Sequence, residues 1–180
     1  MADLAGKEDV EILADKDPGV GLPGRVYLPG YSRTMGPQTH LFAERERLQS
    51  LTWKNFDVKQ LSPTIGAELV GLDLSQELSD EVISEIQQAL WDFKVIFFRN
   101  QEITSDQQIQ FAQRFGELEI HPFLPPNTET PELVRFEKNA NAAGYENQWH
   151  HDVTWRETPS QGAILRAIEI PPIGGDTLFV

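Results

Sequence analysis

Two residues near the end of the chain, His150 and Asp152, have the types and the spacing that a metal ion requires. They stand in the segment "NQWHHDVTWRETP", which also contains a second histidine, His151. If this segment is a strand, alternate side chains point to the same face, so His150 and Asp152 share one face and His151 points to the other. An imidazole nitrogen and a carboxylate oxygen could then bind one metal ion at adjacent positions.

This H-x-D pair would supply two of the three ligands in a facial triad of two histidines and one carboxylate, which leaves positions open for cosubstrate and oxygen. H-x-D also occurs often by chance, so the residues alone leave three interpretations. They could be metal ligands, hydrogen-bonding residues of an ordinary strand, or part of a binding surface without chemistry. The chain has four histidines and no cysteine, so any metal must be held by His, Asp or Glu.

Composition narrows the class of protein and its partners. A chain of 180 residues can form one domain with a core, and its net charge of −13 argues against a nucleic-acid-binding surface. We find no apolar segment that suits a signal peptide or a membrane span. We therefore expect a cytoplasmic protein with small-molecule partners and neither nucleic-acid nor membrane partners, and a homo-oligomer stays open.

The chain divides into an extension and a domain. Residues 1–51 are acidic and then rich in Gly and Pro, and only a short charged stretch, "HLFAERERLQS", could form about two turns of helix. We predict that residues 1–51 are a largely flexible N-terminal extension, and that residues 52–180 belong to the domain that carries the chemistry.

The domain begins with a predicted pair of strands. "FDVKQL" and "GAELVGLDL" alternate apolar and polar residues and are separated by "SPTI", which predicts two strands joined by a turn. Further on, "KVIFFRN" is almost wholly apolar, as in a strand that is buried on both faces. We expect later strands near "LVRFE", "HDVTW" and "AILRAIEI".

Two helices are predicted between and after these strands. The first begins after Ser79 as N-cap and has a stripe of apolar residues at helical spacing, namely Val82, Ile83, Ile86, Leu90 and Phe93. The second begins with a capping box of Thr104 and Gln107, ends at Gly116, and has a predicted apolar face of Ile109, Ala112 and Phe115.

From about residue 56 to 180, the chain resembles the taurine dioxygenase family of Fe(II)- and 2-oxoglutarate-dependent enzymes. The resemblance lies in four segments in the family's order: "IGAELVGLDLSQELSDEVISEIQQAL", "KVIFFRNQEITSDQQIQFAQRFGELEIHP", "WHHDVTWRETPSQGAIL" and "IPPIGGDTLFV". It implies a mainly β fold with flanking helices, the double-stranded β-helix (jelly roll). The long N-terminal extension is similar to those of fungal members.

The resemblance implies a role for each matching residue. His150 and Asp152 match the family's first two iron ligands, and Thr177 matches a threonine that helps to hold a carboxylate of 2-oxoglutarate. His121 matches a histidine that contacts the substrate's sulfonate. Without the resemblance, Thr177 would be an ordinary strand residue and His121 a loop residue. His151 has no implied role.

One departure concerns the substrate. Some family members have an asparagine four residues before the ligand histidine, in contact with the substrate amine. Here Glu146 occupies that position, with Asn147 beside it. A shift of the loop would give Asn147 the substrate-binding role, whereas Glu146 in that role would indicate another substrate, such as an alkyl sulfate or an aryloxy acid.

A second departure concerns completeness. The family's third iron ligand, a distal histidine, and the arginine that pairs with 2-oxoglutarate lie further downstream than residue 180. His40 and His121, the other two histidines, do not match the distal ligand. We therefore expect an incomplete jelly roll with unpaired edges and exposed apolar faces, poorly stable or inactive by itself.

For the complete protein, the resemblance implies an iron-dependent dioxygenase with 2-oxoglutarate as cosubstrate and O₂ as oxidant. The enzyme would hydroxylate a sulfonate such as taurine and release sulfite and an aldehyde, as in sulfur acquisition. The alternative is a catalytically inactive, truncated jelly-roll protein with a binding or regulatory role.

Overall fold

The computed structural model describes residues 39–121, 129–137 and 149–179. The chain divides into two compact units, residues 1–44 and 45–180. The helix predicted in the charged stretch is confirmed as α1, Thr39–Gln49. Most of the predicted flexible extension, residues 1–38, lies outside the described residues, so the division at residue 51 stays a prediction. Among the described helices, none is long and apolar enough to cross a membrane.

The predicted pair of strands is confirmed and forms the first part of a three-stranded sheet. Strand β1, Asp57–Gln60, pairs antiparallel with β2, Ala67–Val70, and Gln60 lies opposite Ala67. The connection closes with a hydrogen bond of 2.9 Å from the Leu61 amide to the Gly66 carbonyl. Gly66 has a φ of 89°, which glycine adopts without steric cost.

The third strand, β3, is shorter and less buried than the sequence predicts. It comprises Ile96–Phe97 and pairs parallel with β2, so the strand order is β1-β2-β3. Both residues are half-buried, so the prediction of a strand buried on both faces is wrong. In the described part of the chain, β3 has one neighbouring strand, which leaves it at the edge of this sheet.

Helix α2, Asp80–Phe93, connects β2 to β3 and confirms the first predicted helix. The Ser79 hydroxyl accepts a hydrogen bond from the Val82 amide, and two acidic residues occupy the first turn. At the C-terminal end, Lys94 has a φ of 66°, and its amide donates to the Leu90 carbonyl at 2.8 Å. The most deeply buried side chains of the predicted stripe are Ile83, Ile86 and Phe93.

Helix α3, Ser105–Gln113, confirms the predicted capping box. The Thr104 amide donates to the Gln107 side chain at 2.8 Å, and the Gln107 amide donates to the Thr104 hydroxyl at 3.2 Å. These two bonds satisfy backbone donors that a helix start otherwise leaves unpaired.

The predicted apolar face of α3 is wrong by one position. The buried residues of the helix are Gln108 and Phe111, whereas Ile109 and Ala112 are half-buried. Aromatic packing accounts for the shift, because Phe111 makes edge-to-face contacts with Phe98 at 5.9 Å and Phe115 at 5.1 Å between ring centroids.

One hydrophobic core joins these elements. It contains residues from α1, β2, α2, α3 and the segments between them, namely Leu48, Phe56, Ala67, Leu69, Leu74, Ile83, Ile86, Ala89, Phe93 and Phe111. The core therefore lies between the sheet and the helices, and α3 connects it to the later segments of the chain.

The strands predicted near residues 133–137, 151–155 and 163–170 are wrong in the described structure. Residues 152–155 form a turn, and the other two segments contain no paired strand. A strand exists only where a neighbour accepts and donates its backbone hydrogen bonds. Large apolar side chains in residues 163–179 are exposed, including Leu165 at 78% and Ile173 at 90%.

Candidate metal site

The side chains of His150 and Asp152 lie close to each other in the structure. The Nε2 atom of His150 lies 3.3 Å from Oδ1 of Asp152, and the two side chains are 58% and 73% exposed. Two donors that each lie about 2.1 Å from one ion, at right angles, are about 3 Å apart. The observed separation therefore fits adjacent coordination positions, and the exposure leaves room for an ion. The role of these residues as metal ligands remains a prediction.

A turn brings the pair together, although the sequence predicts a strand. We name residues 150–156 the ligand turn. Its central residue, Val153, has a φ of 58°, and the Arg156 amide donates to the Val153 carbonyl at 3.3 Å. A left-handed conformation at a β-branched residue costs on the order of 1–3 kcal/mol. Val153 is only 8% exposed, so burial of its side chain offsets part of that cost.

His151 lies in the same turn but contacts the backbone. Its Nδ1 atom is 2.9 Å from the carbonyl oxygen of Asp152, and the Thr154 hydroxyl lies 3.5 Å from the carbonyl oxygen of His151 itself. These short-range contacts stabilise the turn. They give His151 a different environment from His150, whose ring faces a carboxylate.

Glu119 connects the ligand turn to the segment that follows α3, and the sequence analysis did not identify it. Its Oε1 atom lies 2.6 Å from Nη1 of Arg156, and its Oε2 atom accepts a hydrogen bond of 2.9 Å from the Ser160 hydroxyl. We name these three residues the Glu119 bridge. Its members are up to 41 positions apart, so no local spacing in the sequence indicates it.

The other predicted site residues differ in their exposure and in whether the structure describes them. Thr177 is exposed, and His121 is half-buried two positions after Glu119. Asn147 and Glu146 lie outside the described residues. In the part of the chain that the structure describes, no group of three or more His, Asp or Glu side chains could hold one metal ion. The described site therefore offers two protein ligands.

Two polar side chains attach the segment between the ligand turn and Thr177 to α3. The side-chain Nε2 of Gln108 donates to the Ile164 carbonyl at 3.3 Å. The guanidinium of Arg166 donates to the Ile103 carbonyl, while its buried Nε atom has no hydrogen-bond partner. An unpaired buried donor offsets part of what the other bond contributes, so this attachment is weaker than its contacts suggest.

A separate open groove of about 430 Å³ lies on the outer side of α2, lined by Lys54, Glu85, Trp91 and their neighbours. Burial raises the pKa of Glu85, but hydrogen bonds from the amides of Lys54 at 2.6 Å and Asn55 at 3.0 Å, and from the Asn55 side chain, outweigh it. The net result is a lowered pKa for this carboxyl. The carboxylate is thus occupied by the chain's own donors.

The class of protein follows from comparison with known families. Residues 57–180 match the model of the family described as "Taurine catabolism dioxygenase TauD, TfdA family". The chain belongs to this family. The matched residues include the H-x-D pair and Thr177. Family membership confirms the predicted fold class, a mainly β jelly roll with flanking helices.

Two curated relatives and one solved structure illustrate the similarity. An alkylsulfatase of Acinetobacter baylyi is 37% identical over 127 residues, covering 70% of this chain and 39% of the relative. An alpha-ketoglutarate-dependent sulfate ester dioxygenase of Pseudomonas putida is 40% identical over 125 residues, covering 68% and 40%. The crystal structure of a taurine dioxygenase from Burkholderia xenovorans is 37% identical with a TM-score of 0.42, covering 46% of this chain and 32% of that one. The chain thus spans about two fifths of the length of the two curated relatives.

Proposed function

We propose that this chain is part of a non-haem iron dioxygenase that uses 2-oxoglutarate as cosubstrate and acts on an organosulfur compound. The observation that carries the proposal is the convergence of His150 and Asp152, 3.3 Å apart, in a chain of this family. Thiolate metal ligands and thiol nucleophiles are excluded in this chain, since its sequence has no cysteine.

Each residue has a definite task in this proposal. His150 and Asp152 hold Fe(II) at adjacent positions, and the Thr177 hydroxyl binds a carboxylate oxygen of 2-oxoglutarate. When bound, the iron supplies the reduction of O₂ that is coupled to oxidation of 2-oxoglutarate to succinate and carbon dioxide, with one oxygen atom entering a substrate C–H bond. His121 and Asn147 orient the substrate, so that the carbon next to the sulfur-bearing group is the one that reacts.

The relatives indicate two substrate chemistries that differ in their product. Hydroxylation of the carbon attached to a sulfonate gives an unstable product that separates into an aldehyde and sulfite. The same step on an alkyl sulfate ester releases an aldehyde and sulfate. The family description names taurine, a sulfonate, while the two curated relatives are named for sulfate esters, which supports an organosulfur substrate in both cases.

Metal binding tests the proposal, with a matched control in the neighbouring histidine. Mn(II), which is visible by electron paramagnetic resonance and stable to air, is titrated into the purified complete protein of which this chain is part. We expect His150→Ala and Asp152→Ala to abolish binding, and His151→Ala to retain it. Equal losses from His150→Ala and His151→Ala would contradict the ligand assignment, and no binding by the wild type would refute the iron site.

An activity assay distinguishes the substrates. The complete protein is incubated with Fe(II), 2-oxoglutarate, O₂ and one candidate substrate, which is an alkyl sulfate, taurine or a phenoxyacetate. Succinate is measured together with sulfate, sulfite or phenol. An organosulfur substrate is supported by succinate formed together with sulfate or sulfite. Formation of phenol alone would refute an organosulfur substrate and would indicate an aryloxy acid. The cytoplasmic location predicted from the sequence stays a prediction.

A further inference from the structure

We infer that Glu119 is a positioning residue for the two metal ligands, acting through the Glu119 bridge. The inference rests on the proposed function, because it concerns how His150 and Asp152 are held for an ion. Glu119 contacts neither of them. It contacts the last residue of the ligand turn, Arg156, and a residue just beyond it, Ser160.

The first step of the argument concerns what fixes Glu119 itself. Phe115, four positions earlier, packs against the core through its edge-to-face contact with Phe111. Arg114 is held at the N-terminal end of α2 by hydrogen bonds to the carbonyl of Leu78, just before the helix, at 2.7 Å and to the Asp80 carboxylate at 2.5 Å. The segment that carries Glu119 is therefore attached both to the hydrophobic core and to the start of α2.

The second step concerns the bridge. Both carboxylate oxygens of Glu119 are used, one by a guanidinium and one by a hydroxyl. The side chains of Arg156 and Glu119 are 39% and 33% exposed, so more than half of the surface of each is covered by the protein. Two contacts from one carboxylate restrict the distance between Glu119 and the ligand turn, and also the rotation of the turn relative to Glu119.

The third step concerns why the turn needs an external contact. Its central residue, Val153, has a left-handed backbone, a conformation that persists only where surrounding contacts impose it. The Arg156 amide donates to the Val153 carbonyl, so the residue that closes the turn is also the residue that Glu119 contacts. Through Arg156, the position of Glu119 determines the backbone on which His150 and Asp152 converge.

The position of His121 gives the bridge a second consequence. His121 follows Glu119 by two residues, and its side chain is half-buried. The contact that positions the metal ligands thus also fixes the distance between the ligand turn and the segment with the proposed substrate-binding histidine.

The test compares two glutamates that form equally short ion pairs. Glu119→Ala removes the bridge, and Glu81→Ala removes the Lys54–Glu81 pair, which is also 2.6 Å long but lies on the outer side of α2. We expect Glu119→Ala to weaken Mn(II) binding about tenfold, at the lower end of the range for residues that orient metal ligands. Glu81→Ala should change it less than about twofold. Glu119→Gln, which retains an oxygen acceptor for Arg156, should restore part of the affinity.

Amide hydrogen exchange in the metal-free protein separates this inference from the proposed function. The amides of residues 150–156 should exchange faster in Glu119→Ala than in the wild type, and at the wild-type rate in Glu81→Ala. The melting temperatures of all three proteins should be similar. Should the wild type bind no Mn(II), the iron site fails, but faster exchange would still support the bridge. Equal exchange in Glu119→Ala and Glu81→Ala overturns the inference whether or not the metal binds.

Discussion

Removing the exposed partner of the ion pair between α1 and α2 should destabilise the chain more than removing its buried partner. Nη1 of Arg47 lies 2.8 Å from Oδ1 of Asp92, and the side chains are 45% and 9% exposed. The other carboxylate oxygen of Asp92 accepts a hydrogen bond of 2.9 Å from the Gln88 side chain. The buried carboxylate therefore has one cationic partner and one neutral partner.

The magnitudes follow from what each substitution leaves behind. Arg47→Met keeps the apolar stem but leaves a buried carboxylate without its cation, which costs about 3–5 kcal/mol when the pair is fully buried. Because the Arg47 side chain is nearly half exposed, water can partly replace its guanidinium beside the carboxylate. We therefore expect the free energy of unfolding to fall by about 2–3 kcal/mol. Asp92→Ala loses the same bonds, but Arg47 and Gln88 return to water and the cost of burying a carboxylate disappears. For Asp92→Ala we expect the free energy of unfolding to fall by at most about 1 kcal/mol.

Thermal and urea unfolding measure both values. Circular dichroism reports the helices. Tryptophan fluorescence reports the core through the contribution of Trp53, whose ring stacks on Phe56 at 5.5 Å between centroids, whereas Trp91, Trp149 and Trp155 are exposed. At this chain length the melting temperature should fall by about 4–12 °C for Arg47→Met and by less than about 4 °C for Asp92→Ala. The double variant Arg47→Met with Asp92→Leu should unfold near the wild type. A lower melting temperature for Asp92→Ala than for Arg47→Met would refute the reasoning.

Three further predictions concern the core, a helix start and acid stability. Ile86→Ala should lower the free energy of unfolding by about 2–5 kcal/mol, because Ile86 is 1% exposed. Trp91→Ala, at a residue that is 58% exposed, should change this free energy by about 0.5 kcal/mol or less. Urea unfolding of the two variants measures both values. Thr104→Ala removes the capping box of α3 and should cost about 1 kcal/mol, and an unchanged urea midpoint would contradict a stabilising cap. The pKa of Glu85 is lowered from 4.5, so its contribution is present above that pH and lost as the pH falls through the folded value. Glu85→Gln should therefore make stability less dependent on pH below about 4.5, and an unchanged acid profile would count against this.

Local signals in the sequence predicted the first half of the domain well. The caps at Ser79 and Thr104, the alternation of β1 and β2, and the stripe of α2 depend on residues within a few positions of one another, and the structure confirms each. The face of α3 was not predictable in the same way. Which side is buried depends on Phe98 and on a carbonyl 56 positions away, at Ile164.

The candidate site was predicted in its residue types but not in its backbone. The spacing of His150 and Asp152 predicted a shared strand face, whereas the two side chains meet in a turn. Left-handed geometry at Val153 opposes the local preference of a β-branched residue, so no propensity rule predicts it. Glu119 could not be identified either, because its partners are distant in the sequence. The strands expected in residues 163–170 depend on backbone partners, which a local pattern does not specify.

The exposed apolar side chains of residues 163–179 have a consequence for the colloidal behaviour of the chain. Leu165, Ile168, Ile173 and Leu178 are each at least 70% exposed, on a molecule with a net charge of −13. At about 0.01 M salt the Debye length is about 30 Å, and mutual repulsion keeps two such molecules beyond the range of apolar contact. At about 1 M salt it shrinks to about 3 Å, and these side chains can meet. Salt, which weakens association between oppositely charged proteins, should therefore promote self-association of this one.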